Sequence, residues 1–211
     1  MFFEYVEKSK KEFPKLKIKY KDKSLFMKFL SFVLFFNKDF SKKYITTIGS
    51  TIYFPSQKYV ETNDLICTII LMHELVHIKD YYKFKILFSF LYLFPQILFP
   101  LFILGFFNPY FFIFSIFILP IPALFRAYFE YKAYIMSMYT THQLSHKYDF
   151  NWSPDIAINS YIKNFVTSNY YYMFPFKNYL IKCFYIKFRE IQDDLHPFDD
   201  EIYKIVDRIL K

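Results

Sequence analysis

Residues His73-Glu74-Leu75-Val76-His77 carry the most legible chemistry in this chain. Two histidines four residues apart project from the same face of a helix, so both imidazoles can reach one Zn²⁺. The glutamate between them points at the open coordination position, where it can take a proton from zinc-bound water. Met72, Leu75, Val76 and Ile78 around it are apolar, as a helix buried inside a catalytic domain requires. The competing reading is a buried helix with two incidental histidines.

A hydrolytic zinc site takes a third protein ligand besides water. Lys83 stands six residues after His77, which excludes a ligand at that spacing. Glu130 is the leading candidate, on a helix read from Arg126 to about Lys147. Its other reading is a surface carboxylate paired with Arg126 one turn earlier. His142 and His146 are again four apart, but Asp149 is their only acidic neighbour. On a continuous helix His142 lies about 18 Å from Glu130, too far to share a metal, so the pair reads as solvated helix-end histidines. Cys67 and Cys183 read as small buried hydrophobes, and no serine or cysteine has the surroundings of an activated nucleophile.

The elements that must position these groups are unevenly charged. Aromatic residues make up 25% of the 211 positions, yet 86–125 contains no charged residue. Forty residues is about twice what one helix needs to cross a bilayer. Gly105, Asn108 and Pro109 near its middle mark a reversal, giving a helical hairpin with spans Ile86 to Leu104 and Tyr110 to Phe125. Pro95, Pro100, Pro120 and Pro122 are expected to kink them. If the hairpin leaves and returns on one side, Lys85 and Arg126 come back near each other, and so do the helices of His77 and Glu130. Lys79, Lys83, Lys85, Arg126 and Lys132 flank it, which puts that side in the cytoplasm by the positive-inside rule.

The remainder reads as a small sheet with helices. Lys15 to Tyr20 alternates like a half-buried strand. Residues 44–48 and 51–54 are β-branched and aromatic, joined by Gly49-Ser50, a signal for a type II′ hairpin. Thr51, Ile52, Tyr53 and Phe54 are the candidate edge strand for an extended substrate. Leu25 to Phe36 is too short to span and reads as a core helix or one lying on a membrane surface. Thr62 or Asn63 can cap a helix starting at Asp64 that runs through the motif. Further helices are expected over Ser153 to Thr167 and Asp199 to Leu210. The net charge of +8 reads as attraction to anionic lipid, not as nucleic-acid binding. With only Gly49 and Gly105 in the chain, glycine loops that cradle phosphates are absent.

HELVH with an apolar flank, an apolar hairpin and then Glu130-Tyr131-Lys132-Ala133 together resemble the membrane-integrated gluzincins, the CAAX prenyl proteases and bacterial heat-shock membrane proteases. The likeness covers about 45–145 and extends weakly to His196-Pro197-Phe198-Asp199-Asp200-Glu201-Ile202. It implies that His73, His77 and Glu130 bind one zinc per chain and that Glu74 is the general base. Tyr134 stands where that family usually has an aspartate that orients a zinc-bound histidine, and Ile202 stands near the place of an arginine. Tyr134 or Asp80 is then the candidate orienting group, and His196 a candidate beside the substrate.

The fold expected is mainly α with a small β-sheet, zincin-like and interrupted by the hairpin. It would comprise 1–85 with the sheet and motif helix, 86–125 as two membrane spans, and 126–211 as a helical half carrying the glutamate. The function expected is a multi-pass membrane metalloendopeptidase facing the cytoplasm. Its partners would be the lipid bilayer and peptide or membrane-protein substrates, with no nucleic acid. The alternative is a catalytically silent membrane protein with a structural zinc site or an accidental HExxH.

Overall fold

The computed structural model describes residues 1–33, 44–119, 121–167, 172–198 and 201–211. The chain is mainly helical with one three-stranded sheet, the mixed class expected. It divides into two compact units, one of Met1–Tyr82 with the C-terminal helix and one beginning at Lys83. The uncharged run belongs to the second of these.

In the first unit, β1 (Lys17–Tyr20) forms where lysines alternate with apolar residues, leaving Lys17 and Lys19 exposed. β2 (Thr46–Ile48) and β3 (Thr51–Phe54) make the hairpin expected at Gly49-Ser50. Gly49 sits at φ +59° and Ser50 has no positive φ, the combination a type II′ turn uses.

The sheet order is β1-β3-β2, which corrects the expectation for Thr51, Ile52, Tyr53 and Phe54. β3 is the central strand. It pairs in parallel with β1, Ile52 opposite Ile18, and antiparallel with β2, Ile52 opposite Thr47. Neighbouring strands occupy its backbone on both sides, so β3 offers no edge to a substrate. The hairpin signal is local, whereas the pairing with β1 reaches across more than thirty residues.

α1 (Phe2–Glu12) buries Phe2, Tyr5, Val6 and Ser9 at helical spacing. α2 (Leu25–Val33) covers the start of the apolar run, whose residues 34–36 lie outside the described residues. Ser56 caps α3 (Gln57–Thr62) by accepting from Tyr59 N at 3.1 Å. Thr62 and Asn63 do not cap the motif helix with their side chains. They turn back onto α3, donating to Lys58 O and Tyr59 O at 2.9 Å each. The motif helix, α4 (Asp64–Phe84), still begins at Asp64, whose carboxylate accepts from Phe2 N at 2.9 Å. α9 (Glu201–Leu210) buries Ile202, Val206 and Ile209, and its Arg208 gives two hydrogen bonds to Glu12 of α1 at 2.9 and 2.7 Å.

The second unit holds α5 (Ile86–Leu93), two 3₁₀ segments at Gln96–Phe106 and Pro109–Ile118, α6 (Leu124–Tyr148), α7 (Pro154–Val166) and α8 (Lys177–Gln192). The two kinked spans expected are thus broken into shorter pieces. α5 stops before Pro95, which cannot donate to a continuing helix, and the chain bends by 80° into the next segment. Among the described residues no single helix is long and apolar enough to cross a membrane, although that bent pair passes by length and composition. The reversal falls where expected. Asn108 accepts from Tyr110 N at 3.2 Å, and Pro109 opens the second segment. Gly105 permits a close approach, because a Cβ there would stand 2.5 Å from the Phe112 ring. Pro120 lies outside the described residues.

α6 and α7 occupy the ranges expected to within two residues. α8 was not expected; Leu180, Phe184, Phe188 and Ile191 are its buried stripe.

Candidate metal centre

α4 sets the first half of the site. Leu71, Met72, Leu75, Val76 and Ile78 are all buried, so the motif turns of α4 lie in the core and not on a surface. His73 and His77 then stand one turn apart, both buried, their ring centroids 5.1 Å apart and the planes at 76°. Glu74 is buried between them in sequence.

Glu130 lies on the second turn of α6 and is buried. Its Oε1 accepts a hydrogen bond from the hydroxyl of Tyr92 on α5. Tyr92 is itself held by Arg126, whose Nε donates to Tyr92 O at 2.8 Å and whose guanidinium lies 5.5 Å over the Tyr92 ring. The other arm of Arg126 donates to Gln96 Oε1 at 3.1 Å, and Gln96 donates to Ile121 O at 3.1 Å. Arg126, considered above as the ion-pair partner of Glu130, thus gives its guanidinium to Tyr92 and Gln96. Tyr92 is a site residue the sequence did not reveal. Its one signal is a phenol in a stretch without charge, and that pattern also fits a membrane-interface tyrosine.

One ligand atom from each of His73, His77 and Glu130 lies within 4.8 Å of the others. These residues can hold a metal ion, and among the described residues they are the one such group of His, Cys, Asp and Glu. Two imidazoles and a carboxylate suit Zn²⁺ and several other divalent ions.

Lys21 is the second residue the sequence reading missed. Lys21 follows the alternating Lys15, Lys17 and Lys19, but β1 ends at Tyr20 and a 3₁₀ turn, Lys21–Lys23, carries Lys21 inward. It is only 2% exposed. Burial depresses its ammonium to about 8, opposed by the negative charge of Glu74. The HExxH glutamate therefore has a buried cation in its field.

The remaining candidates are placed as follows. Asp80 is buried on α4, one turn beyond His77. Tyr134 is buried on α6, stacked on Tyr161 at 4.6 Å, and its hydroxyl accepts from Asn164 Nδ2 at 2.7 Å. His196 is half-buried, edge-on to Tyr139 at 5.9 Å. His142 and His146 contact each other at 4.5 Å near the end of α6, and burial first, then His146, lowers the pKa of His142. Cys67 is buried as expected, its thiol pushed up to about 12 by burial, while Cys183 is only half-buried. No protein-family model, curated protein or solved structure matches this chain.

Proposed function

We propose that this protein is a zinc-dependent metalloendopeptidase embedded in a membrane, with its active site at the cytoplasmic face. The observation that carries the reading is the gathering of His73, His77 and Glu130 within 4.8 Å, with Glu74 placed in the same motif. The uncharged run supports the membrane part of the reading, since Phe106, Phe107, Tyr110 and Ile113 turn large apolar side chains outward.

His73, His77 and Glu130 would hold the ion. When bound, a divalent cation polarises the scissile carbonyl and acidifies water. Glu74 takes a proton from the attacking water and passes it to the leaving amine nitrogen, so one carboxylate acts first as base and then as acid. Tyr92 orients the Glu130 carboxylate by donating to one of its oxygens. A site beside an apolar surface favours peptide substrates that are themselves bound to, or emerging from, a membrane.

Metal content of detergent-purified protein, wild type against Glu130→Ala, tests the reading. About one zinc per chain is expected in the wild type and much less in the variant. A wild type that takes up no metal after reconstitution overturns the proposal. A wild type that holds zinc but shows the same peptide-bond cleavage with Glu74→Gln reduces the site to a structural one.

A further inference from the structure

α2 is amphipathic in the reverse of the usual sense. Met27 is fully buried against Tyr53 of β3, with Leu30 packed beside them, so one face of the helix is docked on the sheet. The other face carries Leu25, Phe26, Phe29 and Phe32, which are 84%, 54%, 64% and 77% exposed. Leu25, Phe29 and Phe32 follow the i, i+4, i+7 spacing that aligns side chains along one face. Soluble chains rarely turn four large apolar residues outward on nine consecutive positions.

The charge close to α2 in the sequence bears on what covers this face. Lys15, Lys17, Lys19, Lys23 and Lys28 are all exposed, and Asp22 is the only acid between residues 15 and 33. Apolar side chains flanked by lysines are the chemistry of a helix lying in the interface of an anionic bilayer. A second copy of the chain fits poorly, because a two-fold contact through α2 would set this lysine cluster against its own image.

We propose that α2 is an interfacial helix: Leu25, Phe26, Phe29 and Phe32 seat in the acyl boundary of an anionic lipid bilayer while the surrounding lysines meet its headgroups. This contact belongs to the unit that carries HExxH. It depends neither on catalysis nor on the uncharged run entering the membrane.

The test places an environment-sensitive fluorophore on single cysteines of the full chain. Cys183 is replaced by alanine and buried Cys67 is left in place. Labels go on Phe29→Cys and, as a control on exposed α3, on Lys58→Cys, with the protein reconstituted into phosphatidylcholine vesicles with and without phosphatidylserine. A third label, Phe107→Cys, reports separately on the uncharged run. The expected result is several-fold stronger quenching by spin-labelled lipid at position 29 than at 58. It should increase with phosphatidylserine, and high salt or Lys23→Glu with Lys28→Glu should reduce it. A label at 29 quenched by aqueous iodide and not by lipid overturns the inference. So does one shielded from both quenchers, which would mean a protein covers the face. Lipid quenching at 107 without quenching at 29 sinks only the role of α2. Quenching at 29 without 107 supports α2 and sinks the embedding of the run.

Discussion

α4 and the run that follows it are both rich in apolar side chains, and they differ in where those side chains go. Around the motif α4 buries every residue from Leu71 to Ile78. The run turns Ile86, Phe106, Phe107, Tyr110 and Ile113 outward. Apolar content states only that a segment needs a non-aqueous neighbour. Burial states whether the chain itself supplies that neighbour: for α4 it does, and for the run it does not. The second difference is charge. The run carries none, whereas α4 buries His73, Glu74, His77 and Asp80 within eight residues. Buried ionisable groups are costly unless they are partnered, so their concentration on one helix makes it the candidate for a site.

The sharpest test of that contrast is Glu74→Gln, which keeps shape and removes the base. Peptide-bond cleavage should fall by about 10²–10⁴-fold while zinc content is retained. Retained activity would make the polar cluster of α4 incidental. Packing gives the next effect. Leu75→Ala should lower unfolding stability in detergent by about 2–5 kcal/mol, because it empties a filled core position. Ile113→Ala, on the outward surface of the run, should stay within about 0.5 kcal/mol. Equal losses at the two positions would break the comparison between the regions.

The legible parts of the structure were those written in local sequence. HELVH, the Gly49 hairpin and the alternation of β1 are each specified within a few residues, and each formed. The identity of Glu130 as a candidate followed from its place just after the run. What stayed hidden depended on distant pairing or on geometry without a residue signature. β3 became central because β1 pairs with it, and Tyr92 reaches Glu130 across thirty-eight positions. The kink expected at Pro95 is there, but its size, 80°, and the 3₁₀ form of the segments after it have no residue signature. α1 and α8 were readable and were missed. Phe2, Tyr5, Val6 and Ser9 in one, and Leu180, Phe184, Phe188 and Ile191 in the other, have helical spacing amid lysines and aromatics that also suit strands.

Tyr92 tests whether the outward-facing run also serves the site. Tyr92→Phe removes the hydroxyl that holds the Glu130 carboxylate, and losing such a partner weakens metal binding by about 10–100-fold. Competition with a chelating dye reads this directly. Tyr110→Phe, on the exposed part of the same run, should bind as the wild type does. If the two variants match each other, the hydrogen bond contributes nothing to the site and the run is only a surface.

The smallest effect concerns the other buried charge near the motif. Burial holds Lys21 at about 8 in the folded chain, against 10.5 in the unfolded one. Between those values the unfolded state binds more protons than the folded state. Stability should therefore rise as pH rises from about 8 toward 10.5, and the penalty for burying the ammonium is fully present below about 8. Lys21→Met keeps the length of the side chain and removes the charge. It should flatten that rise and stabilise the protein at neutral pH by on the order of 1 kcal/mol, after allowing for solvent screening. Exposed Lys19→Met should leave the profile unchanged. Glu74 opposes the depression, so in Glu74→Gln the rise should begin at a lower pH. A rise that starts at the same pH with and without Glu74 would show that Lys21 does not sense the HExxH glutamate, and would remove Lys21 from the site.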